Sequence, residues 1–295
     1  MATSTPLRRT CLITGTTHGI GLATARSIAR AGHTIVMANR SLQRSRLIEQ
    51  HLRETTGNEN VSSVQCDLAS MASVRACASE VIARHQCLDL LINNAGMITA
   101  IPEVSADGIE LTFATNHLGP FLLTQLLLGM LRAAPNARIV NLASNVHGSG
   151  VLDLDHLTPG KRYRWPKTYS RSKLANVMTT LTLARVLEGT GVTANCLHPG
   201  IVASNIVPRN SPILHWAGKR VKGLMRTPEQ GAATTLHLAL SPDVRDITGK
   251  YFDANQNIVE PSPRALDRCT QNRLWQKSLQ LAGLEQPDLG EHPVD

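Results

Sequence analysis

Apolar and polar positions along the chain alternate between two periods. Short, almost unbroken apolar runs recur at residues 10–14, 34–38, 61–66, 88–92, 137–142 and 193–197. Runs of that length, bounded by turn residues, predict strands buried on both faces. Between them lie longer stretches at 22–31, 42–54, 71–85, 108–131, 167–187 and 228–240, whose apolar residues return at helical spacing. A last short strand is predicted at 249–252. Strands alternating with helices imply an α/β fold built on a single doubly wound parallel sheet, with ligands beyond the carboxyl ends of its strands. The 295 residues are read as one domain. It has a core at 10–253, a helical substrate lid at 204–227 and a C-terminal extension at 254–295.

The polar residues that interrupt this pattern gather where such a fold puts its strand ends. The first strand runs into Thr14-Gly15-Thr16-Thr17-His18-Gly19-Ile20-Gly21, and a helix pattern closed by Gly32 follows. Strand, glycine-rich turn and helix is the Rossmann-type context in which amides at a helix N-terminus cradle phosphate. Gly15 permits the turn, and Gly19 and Gly21 let backbone approach a pyrophosphate. The second strand ends in Asn39-Arg40, where an NAD-preferring fold carries an acid for the ribose 2′-hydroxyl. An arginine there forks onto a 2′-phosphate, so the pattern argues for NADP(H) over NAD(H). Asp67-Leu68 follow the third strand, Asn93-Asn94-Ala95-Gly96 the fourth, Ala143-Ser144 the fifth and His198-Pro199-Gly200 the sixth.

Tyr169 and Lys173 stand four apart on the helix 167–187, and so on one face. A fixed ammonium favours the phenolate and draws a tyrosine from its usual pKa of about 10 toward the range useful for acid–base catalysis. Alone, the spacing is equally that of a solvated helix face; its company at the strand ends is what favours chemistry.

With these motifs in family order, the sequence resembles the short-chain dehydrogenase/reductase family from Thr10 to about Phe252. The wording of Asn116-His117-Leu118-Gly119-Pro120-Phe121-Leu122-Leu123-Thr124, of Ser172-Lys173-Leu174-Ala175-Asn176, of Thr227-Pro228-Glu229-Gln230-Gly231 and of 273–284 is similar to its retinol-dehydrogenase-like branch. The resemblance implies an alcohol dehydrogenase or carbonyl reductase. In it Tyr169 is the general acid when a ketone or aldehyde is reduced, and the base in reverse. Lys173 lowers the tyrosine pKa and holds the nicotinamide ribose. Ser144 bonds the substrate oxygen, and the Asn116 backbone positions a water that links Lys173 to solvent. The same resemblance assigns Gly15, Thr17, His18, Gly19, Ile20 and Gly21 to the phosphates, Arg40 to the 2′-phosphate, and Asp67 and Leu68 to adenine. Asn94, Ala95 and Gly96 go to the ribose side, and Pro199, Gly200, Val202 and Ser204 to the nicotinamide. His18 departs from the Arg, Lys or Asn often found there in NADP-preferring members. His147 is expected to shape the pocket rather than act as a base. Many relatives pair through helices corresponding to 108–131 and 167–187, which makes a homodimer an expectation.

Charge sharpens the substrate question. The net charge is +8, yet between Asp155 and Glu229 the only acid is Glu188, so the excess is local. Those basic residues, Arg171 included, read as an electrostatic surround for the catalytic pair. The lid adds Ile206, Val207, Ile213, Leu214, Trp216, Val221, Leu224 and Met225, with Trp165 and Tyr163 as an opposite wall. An apolar lining with a cationic rim suits a small lipophilic carbonyl or alcohol, with linkage to an anionic carrier as a further hypothesis. A membrane-surface retinoid- or steroid-type dehydrogenase docking through 213–225, and a catalytically silent NADP-binding module, are the alternatives. Nucleic acid is disfavoured, since aromatics are only 3% and no binding motif occurs. Six cysteines without a Cys-x-x-Cys pair argue against disulfides and metal. The apolar run 118–131 is too short to span a bilayer and residues 1–10 carry no apolar core, so the expected location is cytoplasmic.

Overall fold

The computed structural model describes residues 8–159, 163–202 and 225–285. The apolar runs become β1 (Thr10–Thr14), β2 (Thr34–Asn39), β3 (Val61–Gln65), β4 (Leu90–Asn93), β5 (Arg138–Leu142), β6 (Thr193–Leu197) and β7 (Tyr251–Phe252). Together with β8 (Ile258–Val259) they form one sheet in the order β3-β2-β1-β4-β5-β6-β7-β8. The pairs from β3 to β7 are parallel, with Thr14 level with Ala38 and Leu142 level with Leu197. β8 alone runs antiparallel.

Both faces of this sheet are covered, which is why its strands read as continuous apolar runs. On one face pack α1 (Gly19–Arg30), α2 (Leu42–Thr56) and α7 (Pro228–Leu240), through Ala25, Ile28, Leu52 and Leu238. On the other lie α3 (Met71–Arg84), α4 (Leu111–Phe113), α5 (Gly119–Arg132) and α6 (Trp165–Val186). Val74, Cys77, Leu122, Leu127, Leu174 and Met178 form their core. Local chemistry sets the helix ends. Ser41 and Ser70 accept from the backbone of Arg44 and Ser73, and Thr227 with Gln230 closes a capping box.

Two expectations change. The predicted helix 108–131 is broken. A turn closed by the Val104–Glu110 bridge delays its start, and Glu110 caps Thr112 and Phe113 through its carboxylate. After α4 the chain makes a π turn, Ala114–Leu118, before α5. Pro120 explains the bulge: it has no N–H to give the Asn116 carbonyl, and its ring crowds that oxygen. The second change concerns the residues after Asp253. They first add β8 to the sheet edge, then form α8 (Pro263–Leu266) and α9 (Arg268–Ala282). Leu274, Trp275, Leu279 and Ala282 of α9 join the core beside α5 and α6, with Trp275 edge-on to Phe121 at 5.1 Å. Part of the surface expected to pair two copies is thus covered by this chain's own C-terminal helix.

Candidate active site

β1 is flanked by β2 and β4, so the chain reverses its winding direction there and the loops after β1 and β4 meet. Gly15 adopts a positive φ of 72°, and its N–H donates to Ala38 O at 3.0 Å. The Asn94 amide donates to Thr14 O at 2.8 Å and Gly15 O at 3.0 Å. A Cβ on Gly21 would stand 2.2 Å from Gly15 O and 2.3 Å from Asn94 Nδ2, so only glycine lets α1 approach this closely. Asn94, expected on the ribose side, clamps the glycine turn with its side chain. Asn39 holds the turn from the other flank. Its Oδ1 accepts from Thr16 N at 2.8 Å, and its Nδ2 donates to Thr16 Oγ1 at 2.8 Å and Ser45 Oγ at 2.7 Å. Sequence reasoning passed over Asn39 as the neighbour of Arg40.

The start of α1 is built to face an anion. His18 occupies the N-cap in extended conformation without side-chain capping, and no acid lies in the first turn. Unpaired amides and the positive end of the helix dipole therefore point outward together. Burial lowers the His18 pKa, and the nearby Arg44 cation adds to the effect. Arg40 sits exposed at the end of β2. Asp67 turns the chain after β3, its carboxylate accepting from Ala69 N at 3.0 Å, while Leu68 is buried in the core. Gly200 has a φ of 79°, and Val202 pairs with Arg226 in a parallel bridge. These features fit a dinucleotide carrying a 2′-phosphate: bare amides for the pyrophosphate, a cradle any Cβ would fill, and exposed arginine where the ribose would lie.

Ser144 follows β5 and starts a 3-10 turn, Asn145–Ser149, by accepting from Val146 N at 3.4 Å. Tyr169 lies near the start of α6, where Pro166 fits the first turn. Lys173, one turn on, places Nζ 5.7 Å from the Tyr169 ring centroid and donates to Leu142 O at 2.8 Å. Burial pushes the Tyr169 phenol up to about 12, with a hydrogen bond from Ser144 acting the other way. Burial also brings the Lys173 ammonium down to about 8. The expectation that Lys173 lowers the phenol is therefore outweighed here by desolvation of both groups.

Asn116 occupies the π turn. Its amide donates to Met97 O at 3.0 Å and Ser172 Oγ at 3.1 Å, and its Oδ1 accepts from Met97 N at 2.8 Å. The side chain is fully used in tying the loop after β4 to α6, whereas Pro120 leaves the backbone carbonyl without its helical partner. Ser172, which the reading did not single out, accepts from Asn116 and donates to Tyr169 O at 2.8 Å. His147 is bonded at both nitrogens, with Nδ1 2.8 Å from Ser144 O and Nε2 accepting from Ser262 N at 3.0 Å. Those partners fix the neutral Nδ1–H tautomer and leave no lone pair for a base.

Other expected residues have different work. Arg171 pairs with Glu110 at 3.8 Å, stacks over Phe113 at 5.3 Å and donates to His156 O at 3.2 Å. It braces the start of α4 rather than surrounding Tyr169 and Lys173. Tyr163 donates to Thr99 O at 3.0 Å. Within the expected lid, Ser204, Ile206, Val207, Ile213, Leu214, Trp216, Val221 and Leu224 lie outside the described residues. Among those described, no group of side chains is arranged to hold a metal ion, and no helix is long and apolar enough to cross a membrane.

Comparison with known proteins agrees with this geometry. The family model for short chain dehydrogenase matches residues 9–212. Retinol dehydrogenase 13 of Homo sapiens is 37% identical over 292 residues, spanning 97% of this chain and 88% of that protein. Retinol dehydrogenase 12 of Mus musculus is 40% identical over 275 residues, spanning 93% and 86%. Among solved structures, an uncharacterized protein from Mycobacterium paratuberculosis superposes with a TM-score of 0.75 at 31% identity over 95% of each chain. A blue fluorescent protein from a metagenomic library, solved with NADPH, gives 0.65 at 28% identity over 83% of this chain and 95% of its own.

Proposed function

This chain belongs to the short-chain dehydrogenase family, in its retinol-dehydrogenase-like branch, and from that premise we propose that it interconverts a lipophilic ketone or aldehyde and the corresponding alcohol with NADP(H). The observation that carries the reading is the convergence of Ser144, Tyr169 and Lys173 beyond the carboxyl end of β5, in a sheet whose first strand leads into the uncapped start of α1. Reduced nicotinamide, when bound, supplies the hydride. The protein's part is to bind, orient and move one proton. Ser144 Oγ would hold the carbonyl oxygen where negative charge develops. Tyr169 Oη would give that oxygen its proton as the carbonyl π bond opens and the carbon takes hydride. Lys173 would then stabilise the phenolate until solvent restores the proton past Lys173 and the Asn116 carbonyl. In alcohol oxidation each transfer reverses.

The cofactor choice is supported by Arg40 at the end of β2, by the absence of an acid there, and by the NADPH held in the structurally similar fluorescent protein. Lipophilic substrate is supported by exposed apolar side chains on the loops beyond the strand ends: Ile101, Val104, Val146, Val151 and Ile201. The relatives' names bring retinal into the same class.

The test is NADPH oxidation across lipophilic aldehydes, retinal included, and cyclic or steroid-like ketones, repeated with NADH. Tyr169→Phe is expected to lose nearly all turnover while keeping NADPH affinity, and Arg40→Asp to reverse the preference between the two cofactors. Turnover surviving in Tyr169→Phe would refute the reading.

A further inference from the structure

His117 is a buried imidazole that the proposed chemistry does not use. It follows Asn116 in the π turn and is 2% exposed. Its ring packs against Phe113 at 4.9 Å and Phe121 at 6.1 Å. Nε2 lies 2.9 Å from Ser278 Oγ on α9, and the Asn176 side chain on α6 hydrogen-bonds the same ring. Asn176 in turn donates from Nδ2 to Leu142 O at 3.4 Å. That carbonyl is the one that receives Lys173 Nζ at 2.8 Å. Four elements thus meet through one line of polar groups: α9, the π turn, α6 and the end of β5.

The directions of these bonds follow from their effect on the ring. The Asn176 hydrogen bond favours the protonated imidazole, as an acceptor of its N–H does, so Oδ1 faces the ring while Nδ2 serves Leu142 O. The ring therefore donates to Asn176, and Nε2 accepts from the Ser278 hydroxyl. A buried polar set of this kind costs stability if any member is unpaired, and stiffens its surroundings when all are paired. Lys173 needs such stiffness. Burial alone perturbs it, with no carboxylate among the described residues acting on it. Its position is therefore set by the carbonyl it bonds, not by an opposite charge. His117 likewise has no charged neighbour among the described residues acting on it, and burial brings it down to about 4. It stays neutral at working pH and relays orientation rather than charge.

We propose that Ser278, His117 and Asn176 are positioning residues through which the C-terminal helix α9 holds the Leu142 carbonyl, and with it the Lys173 ammonium, beneath Tyr169. The inference rests on the roles given above to Tyr169 and Lys173. A parallel tie supports it: α9 is preceded by Ser262, whose N–H fixes His147, and His147 Nδ1 fixes the backbone of Ser144. The segment after Asp253 thus reaches the proton donor's two partners through two imidazoles.

The test compares His117→Phe, His117→Gln and Ser278→Ala with the parent protein. His117→Phe keeps the ring between Phe113 and Phe121 but loses both hydrogen bonds; His117→Gln keeps a donor for Asn176. A loosened ammonium supports the phenolate less, so the ionisation controlling kcat/KM for alcohol oxidation should move to higher pH. We expect an alkaline shift of about one pH unit in His117→Phe, a kcat roughly tenfold lower, and NADP+ affinity within twofold of the parent by fluorescence. His117→Gln should recover most of the loss. Ser278→Ala, whose missing hydroxyl leaves the fold intact, should show a smaller shift. It should also lose the single Nδ1–H tautomer of His117 in imidazole 15N spectra of the cofactor-free protein. An unchanged pH profile in both His117→Phe and Ser278→Ala would overturn the relay, leaving His117 a packing residue. Turnover retained in Tyr169→Phe would instead remove the underlying catalytic reading.

Discussion

Replacing Lys173 with methionine isolates the cost of keeping an ammonium in the core. Lys173 is buried, bonded to one carbonyl, and its pKa falls from 10.5 to about 8 because burial disfavours the charged form. In free energy this drop corresponds to about 3.4 kcal/mol. The sign follows from proton counts. Between pH 8 and 10.5 the unfolded chain holds the lysine proton and the folded chain releases it, so stability rises with pH across that window. Below pH 8 the full penalty applies. Integrating the two titrations gives a gain of about 1.8 kcal/mol from pH 7.5 to 9.5 that Lys173→Met must lack. Buried thiols at Cys11 and Cys196, pushed up by burial, act oppositely once the unfolded cysteines ionise. They are common to both proteins and cancel in the difference. The assay is urea denaturation of parent and Lys173→Met, without cofactor, at half-unit steps from pH 7.5 to 9.5. A difference in unfolding free energy that stays flat across those steps would refute the assignment of a desolvated, titrating ammonium at this position.

Two further substitutions probe the frame around the site. Gly21→Ala drives a Cβ into Gly15 O and Asn94 Nδ2 and breaks the clamp between the loops after β1 and β4. It should lower NADPH affinity roughly 100-fold, or about 2.7 kcal/mol, as read by fluorescence titration; affinity within threefold of the parent would contradict the tight-turn argument. Trp275→Ala removes the α9 ring packed edge-on against Phe121. A cost of about 3–5 kcal/mol is expected by chemical denaturation, and a loss under 1 kcal/mol would show that α9 is not part of the core.

The sheet was legible because strands covered on both faces announce themselves as apolar runs, and the candidate site because strand ends are where polar residues are affordable. What stayed hidden depends on partners distant in sequence or on differences that periodicity does not record. A single π turn displaces the apolar spacing by only one residue, so Pro120 is what marks the break after Phe113. β8 is two residues long and shows no period. Asn39 looked like a companion to Arg40, yet its worth lies in Thr16 and Ser45, which the fold brings to it. Arg171 counted toward a local cationic excess until Glu110 arrived from another element. Charge along a sequence records which groups are present; it does not record which are already paired.

Tyr169 shows the same limit in energetic form, and the correction bears on the chemistry. Spacing on a helix argues that an ammonium nearby should lower a phenol, and in water-exposed surroundings that would decide the matter. In this site Lys173 is buried and Tyr169 partly so, and the loss of water around them raises the phenol to about 12 while lowering the ammonium to about 8. Both shifts have one cause and both resist charge. Near neutral pH the phenol is therefore protonated and the ammonium still mostly charged, which is the pairing a carbonyl reduction starts from. In the proposed reaction the cation would act once the proton has gone to substrate. A phenolate and an ammonium held close in a medium of low effective dielectric attract far more strongly than in water. The burial that holds the proton on Tyr169 would thus also strengthen what stabilises its loss in the proposed reaction. On the proposed chemistry Lys173 must be in place for that step, and the groups that fix the Leu142 carbonyl would then serve the mechanism as well as the core.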